Sequence, residues 1–212
     1  MDPEIVRIIV GFVLTTILGG VLGSYLQQRS WKHQNEVHLK EEELKRAGAV
    51  CESVTQLLDK RLYRMLRLYY VCDGYAQGSF LKDVLEQRLG DYDDVLFEWN
   101  DRLNVNLALI GTYFGKSARE YLDFNIYESF KAAGSNLEQA YRAVSQESDA
   151  NFPFDELHSQ LDQLTHKVYR LGVFMMTHLR DGQVGRSSPD PLMRSVLEIT
   201  PNVPRHVKGS QK

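Results

Sequence analysis

The chain has 212 residues, with 25 Lys and Arg against 28 Asp and Glu and a formal net charge of −3. That balance excludes a general electrostatic attraction to nucleic acid. Two cysteines with no CxxC or Cys/His spacing exclude a disulfide scaffold and a zinc ribbon, while the length allows one domain with a real core.

Residues 5–26 read IVRIIVGFVLTTILGGVLGSYL, nearly continuous apolar sequence whose one charge is Arg7. About 20 apolar residues cross a bilayer core as a helix. The start, Met1-Asp2-Pro3-Glu4, is acidic, whereas a signal peptide opens with positive charge. The segment is therefore expected to be a retained, single-pass transmembrane helix. Arg29, Lys32, Lys40, Lys45 and Arg46 follow it, and positive charge stays on the cytoplasmic side. The expected location is the inner or plasma membrane, with residues 1–4 outside and the long C-terminal part in the cytoplasm. Tyr25, Arg29, Trp31 and Lys32 are the expected membrane-interface anchors. Thr15, Gly19 and Gly23 recur every four residues, as do Thr16, Gly20 and Ser24. Such ladders of small residues let helix backbones approach closely, so association of this helix into a homo-oligomer is expected.

Residues 27–43 are polar, without proline, and rich in helix formers; they are expected to form a helical stalk. From Leu44 the pattern changes. Leu44, Ala47, Cys51, Val54, Leu58, Met65, Leu68 and Cys72 follow a three-four repeat that Arg61 interrupts. Such a repeat is the seam of a helix packed on partners, as in a coiled coil or bundle. Asp73-Gly74 is the expected end. On a straight helix Cys51 and Cys72 lie about 30 Å apart, too far for a disulfide.

A second helix is expected over about 79–114, with Leu81, Leu85, Leu89, Tyr92, Leu96, Trp99, Leu103, Ile110 and Phe114 at helical spacing and a kink allowed at Gly90. Ser117-Ala118-Arg119-Glu120 reads as a capping box opening a third helix, which Gly134-Ser135 could split. Asn151-Phe152-Pro153 opens a fourth, with Phe154, Leu157, Leu161, Leu164, Val168, Leu171 and Met175 as its seam. Residues 183–212 contain Pro189, Pro191, Pro201 and Pro204 and read as a flexible tail. The expected fold is all-α: a transmembrane helix over 5–26, a stalk over 27–43 and a cytoplasmic antiparallel four-helix bundle over 44–182.

The chain offers little to a catalytic reading. No arginine and histidine have the spacing of a HEPN ribonuclease motif, and Arg170 and His178 are too far apart. A di-iron bundle needs two Glu-x-x-His motifs; Asp155-x-x-His158 is a single near match, read as a helix-capping aspartate. His158, Asp162 and His166 share a face, but the histidines sit about 12 Å apart along the axis and cannot share a metal. No phosphate loop, nucleophile elbow or HExxH occurs. No catalytic residue, metal ligand or cofactor is assigned.

Lys60, Arg61, Arg64 and Arg67, with Tyr63, Tyr69 and Tyr70, form the densest basic cluster, and Asp91, Asp94, Glu98 and Asp101 form an acidic stripe on the next helix. The plain expectation is that the stripes pair. The sharper one is an anion- or partner-binding pocket, with arginine on phosphate and tyrosine on bases. Three functions follow. The leading one is a non-enzymatic, membrane-anchored, self-associating interaction or scaffold protein with a further protein partner. The alternatives are an oligomeric membrane-pore effector, for example of a bacterial defence system, activated through its cytoplasmic bundle, and a nucleotide- or nucleic-acid-binding bundle. Nucleic acid is the less expected partner.

Overall fold

The computed structural model describes residues 3–146 and 152–185, with the side chains of residues 4–10, 13–15 and 17–19 outside that description. Among the described residues the chain is helical, without strands. Helix α1 spans Pro3–Ala76, α2 Lys82–Phe114, α3 Lys116–Glu120, a π-helical segment Tyr121–Tyr127, α4 Glu128–Ser145 and α5 Phe154–Arg180. The chain divides into two units, Met1–Lys45 and Arg46–Lys212.

In the first unit α1 is helical from Pro3 onward, through the stretch expected to be a stalk. Among the described residues no helix is long and apolar enough to cross a membrane. This corrects the expected transmembrane helix over 5–26, and with it the single-pass topology, the inner- or plasma-membrane location and the outside N-terminus. From Gly20 on, the described large apolar residues are Val21, Leu22, Tyr25 and Leu26, before Gln27, Gln28 and Arg29 begin the polar stretch. Helix α1 continues through that polar stretch without a break. Tyr25, Arg29, Trp31 and Lys32 are exposed along α1.

In the second unit four helical rods pack in antiparallel order. Lys60 and Arg64 of α1 meet Glu98 and Asp91 of α2, so the two run in opposite senses. Trp99 of α2 lies 6.0 Å from Phe130 of α4, ring centre to ring centre. Asn136 donates to Gln160 at 2.7 Å and Lys167 to Ser129 at 2.7 Å, which sets α4 against α5. Tyr69 stacks on His158 at 5.5 Å and Cys51 Sγ lies 3.9 Å from Met176 Sδ, closing α5 back on α1. The core between them runs from Ala47 and Leu58 through Trp99, Ile110 and Phe130 to Leu161 and Met175.

Several boundaries differ from the expectation. Helix α1 runs past Gly74, and the turn is made at Gly78, whose φ of 74° suits glycine. Helix α2 begins at Lys82, leaving Leu81 exposed as its N-cap. The third rod begins at Lys116 with Gly115 as N-cap, so Ser117 lies inside the helix and does not open a capping box. Gly134-Ser135 does not split α4. Asp155 lies in the first turn of α5, whose N-cap is Pro153 with no side-chain cap bond; its charge suits the helix N-terminus instead. Residues 186–212, most of the expected tail, lie outside the described residues.

The π-helical segment has a sequence cause. Ala118, Leu122, Ile126 and Phe130 are all fully buried at four-residue steps. In an α-helix each such step drifts about 40° around the axis, from 3.6 residues per turn. Widening the helix over Tyr121–Tyr127 takes up the excess and keeps all four on the core face.

Candidate functional site

The basic cluster on α1 separates into two directions. Lys60 Nζ meets Glu98 Oε2 at 2.5 Å, and Arg64 Nη1 meets Asp91 Oδ2 at 2.8 Å. Arg88 of α2 shares that same Asp91 oxygen at 2.6 Å. The two stripes thus pair across the α1–α2 hairpin, as the plain expectation had it. Lys60 holds the Glu98 carboxyl below the ordinary glutamate range, chiefly through its hydrogen bond. Arg67, Asp94 and Asp101 are exposed.

Arg61 turns the other way. It is 2% exposed, and its guanidinium carbon sits 4.4 Å from the Phe130 ring centre and 5.5 Å from that of Trp99. A cation over an aromatic face is favourable, the more so out of water. Yet Nε and Nη1 have no hydrogen-bond partner. Burial pulls the Arg61 pKa down, and Tyr92, by charge and hydrogen bond, works against that pull. Burial likewise pushes the Tyr92 phenol up. Room for the Tyr92 hydroxyl comes from Gly134, where a Cβ would stand 2.7 Å from it. A guanidinium sealed by rings and a phenol holds the bundle's interior and offers no face to a soluble anion. Lys60, Arg61, Arg64 and Arg67 therefore do not converge on one point.

The sequence contained the signal for Arg61. Stepping from Leu58 by three and on to Met65 by four lands on position 61, so Arg61 occupies a seam position. Asn106 and His178 do the same on α2 and α5 and are also buried. His178 Nδ1 lies 3.0 Å from the Phe174 carbonyl oxygen.

The other expected clusters are placed as follows. His158 Nε2 lies 3.6 Å from Asp162 Oδ2, while His166 is exposed. Among the described residues no group of three His, Cys, Asp or Glu could hold a metal ion. Cys51 and Cys72 are both buried with free thiols. On the small-residue ladders, Thr16 Oγ1 donates to the Phe12 carbonyl and Ser24 Oγ to that of Val21. A Cβ built at Gly20 or Gly23 meets nothing within 4 Å. The side chain of Thr15, and Gly19 beside it, lie outside the described set.

A groove of about 590 Å³ runs between α1 and α5, a feature the sequence reading missed. Its floor is Gly172 against Thr55, 3.8 Å from methyl to a Cβ built at 172. Tyr169, Val173 and Met176 line its α5 wall at i, i+4 and i+7, and they are 70%, 44% and 61% exposed. Asp59 stands on the α1 wall, where burial raises its carboxyl above the ordinary range. Arg180 closes the far end, donating from Nε to Asp181 at 2.9 Å. The signal was a second apolar stripe on α5 beside the seam, visible only once the seam is subtracted. No family model, no curated protein and no solved structure matches this chain.

Proposed function

We propose that this protein is a non-enzymatic, self-associating helical-bundle interaction protein, and that its N-terminal helical stretch is where copies join. The observation that carries this is the bare apolar surface at the start of α1. Phe12, Val21, Leu22, Tyr25 and Leu26 are all large and all exposed in the single chain. Exposed large apolar residues gathered on one stretch of helix mark an interaction site. An isolated helix also gains its stability in water mainly by burying such a face. Gly20 and Gly23 leave open space beside the helix, and the Thr16 and Ser24 hydroxyls are satisfied by their own backbone. A second copy of the same helix can therefore approach closely at Gly20 and Gly23 with the Thr16 and Ser24 hydroxyls still paired.

Sedimentation of the full chain tests this. The expected mass is a multiple of the 24.4 kDa chain. Phe12→Lys with Leu22→Lys should lower that mass while helix content stays the same. An unchanged mass in this variant rejects the N-terminal stretch as the joining surface.

A further inference from the structure

We propose that the α1–α5 groove is a second homotypic surface, on which another copy of this chain seats the same groove across a two-fold axis. This goes beyond the N-terminal association and does not depend on it. The middle of the groove is apolar and exposed, formed by Tyr169, Val173 and Met176. Its two ends carry opposite charge. Thr55 packs on Gly172 and Cys51 on Met176, so the antiparallel register sets Asp59 beside Tyr169. Arg180 lies three turns further along α5, about 17 Å away at 1.5 Å per residue.

Among the described residues neither charge is fully matched. Asp59 has no ion-pair partner among the described residues, although burial has already stripped some of its water. Arg180 gives Nε to Asp181, which leaves the outer edge of the guanidinium for a further carboxylate. A two-fold axis passing between Val173 and Met176 lays each Asp59 on the other copy's Arg180. Each Arg180 then bridges Asp181 of its own chain and Asp59 of its partner, and the apolar middles cover each other. An isologous contact matches this spacing by symmetry, because the same separation is read in opposite directions. A foreign helix would have to carry a base and an acid at that separation independently. The second copy is therefore the occupant that the charges select.

The test uses the full chain carrying Phe12→Lys and Leu22→Lys, so that any remaining self-association reports on the groove. In sedimentation this chain should dimerise. Asp59→Arg alone and Arg180→Asp alone should each weaken the dimer at least tenfold, by placing like charges opposite one another, and the double reversal should restore it. Val173→Cys should form an intermolecular disulfide under mild oxidation, whereas Phe97→Cys on α2 should not. Helix content and melting temperature confirm that each variant is folded, with Met176→Glu as the substitute if a reversal unfolds. A monomer in the starting background, single reversals without effect, a double reversal that stays apart, or no disulfide at 173 overturns the proposal. A starting background that keeps the wild-type mass and halves on groove reversal supports the groove and rejects the N-terminal surface instead.

Discussion

The guanidinium carbon of Arg61 on α1 lies 4.4 Å from the centre of the Phe130 ring on α4, in the interior of the bundle and with two of its nitrogens unpartnered. An ionised side chain is costly to bury without a counter-charge. The ring faces return about 1–2 kcal/mol of that. Each orphan donor costs about 1–3 kcal/mol.

Arg61→Met combined with Tyr92→Phe should therefore stabilise the bundle, by about 1–3 kcal/mol, since the methionine fills the space, both orphans go and no buried phenol is left without its Arg61 partner. The check is the denaturant midpoint at neutral pH. Arg61→Ala should go the other way, because it leaves a cavity between Trp99 and Phe130. A double variant that melts below the parent would show that the cation–ring contacts outweigh the orphaned nitrogens.

Two glycines on helices give opposite expectations. At Gly134 an added Cβ meets the buried Tyr92 hydroxyl at 2.7 Å, and that phenol is held by Arg61. Gly134→Ala should cost about 1–3 kcal/mol through overpacking. At Gly90 an added Cβ meets nothing within 4 Å. Gly90→Ala should stabilise by about 0.5–1 kcal/mol through lower chain entropy. Unfolding curves of the two variants measured side by side settle both signs.

Stability should depend on pH through two carboxylates of opposite sign. The hydrogen bond from Lys60 depresses the Glu98 pKa below the ordinary glutamate value of 4.5. Its contribution is therefore present above that value and is lost as pH falls through the folded-state pKa. Asp59 is raised above 3.8 by burial, so its contribution is present below that value and is lost as pH rises through its folded-state pKa. Thermal melts from pH 3 to 7 should show Glu98→Gln flattening the acid-side loss. With the groove contact blocked by Met176→Glu, Asp59→Asn should raise the melting temperature at pH 7. Both effects are small, because Glu98 is only half-buried and Asp59 is exposed.

Burial pushes the Cys72 thiol up to about 12 and raises Cys51 as well. Thiolate is the reactive form. At pH 8 iodoacetamide should leave both cysteines of the folded chain unmodified over hours and label both within minutes in guanidinium. Rapid labelling of the folded chain at Cys72 would mean that the end of α1 opens readily.

A chain beginning at Arg46 should fold by itself. The boundary between the two units lies there, and the buried core starts at Ala47. Circular dichroism should show high helix content and one cooperative transition. A non-cooperative melt would show that residues before 46 are needed for packing.

The sequence by itself determined the helices and most of their buried faces. Leu58, Met65, Leu85, Tyr92, Trp99, Leu161 and Leu171 were legible because helix periodicity is local, carried by residues three and four apart. The pairing of Lys60 and Arg64 with Glu98 and Asp91 was legible for the same reason, since two stripes of opposite charge on adjacent helices face each other in a hairpin. Tertiary structure decided the rest. Residue type says that Arg61 and Asn106 face water, yet position on the seam turned both inward, because their helices could not rotate without exposing the apolar residues on either side. The π-helical turn over Tyr121–Tyr127 follows from the need to hold Ala118, Leu122, Ile126 and Phe130 on one face of a packed rod. The groove lined by Tyr169, Val173 and Met176 exists only where α5 meets α1, with Gly172 on Thr55 setting its depth. The apolar opening of the chain misled in the same way. Apolarity counted along the sequence predicted a span over 5–26, whereas among the described residues no helix is long and apolar enough to cross a membrane.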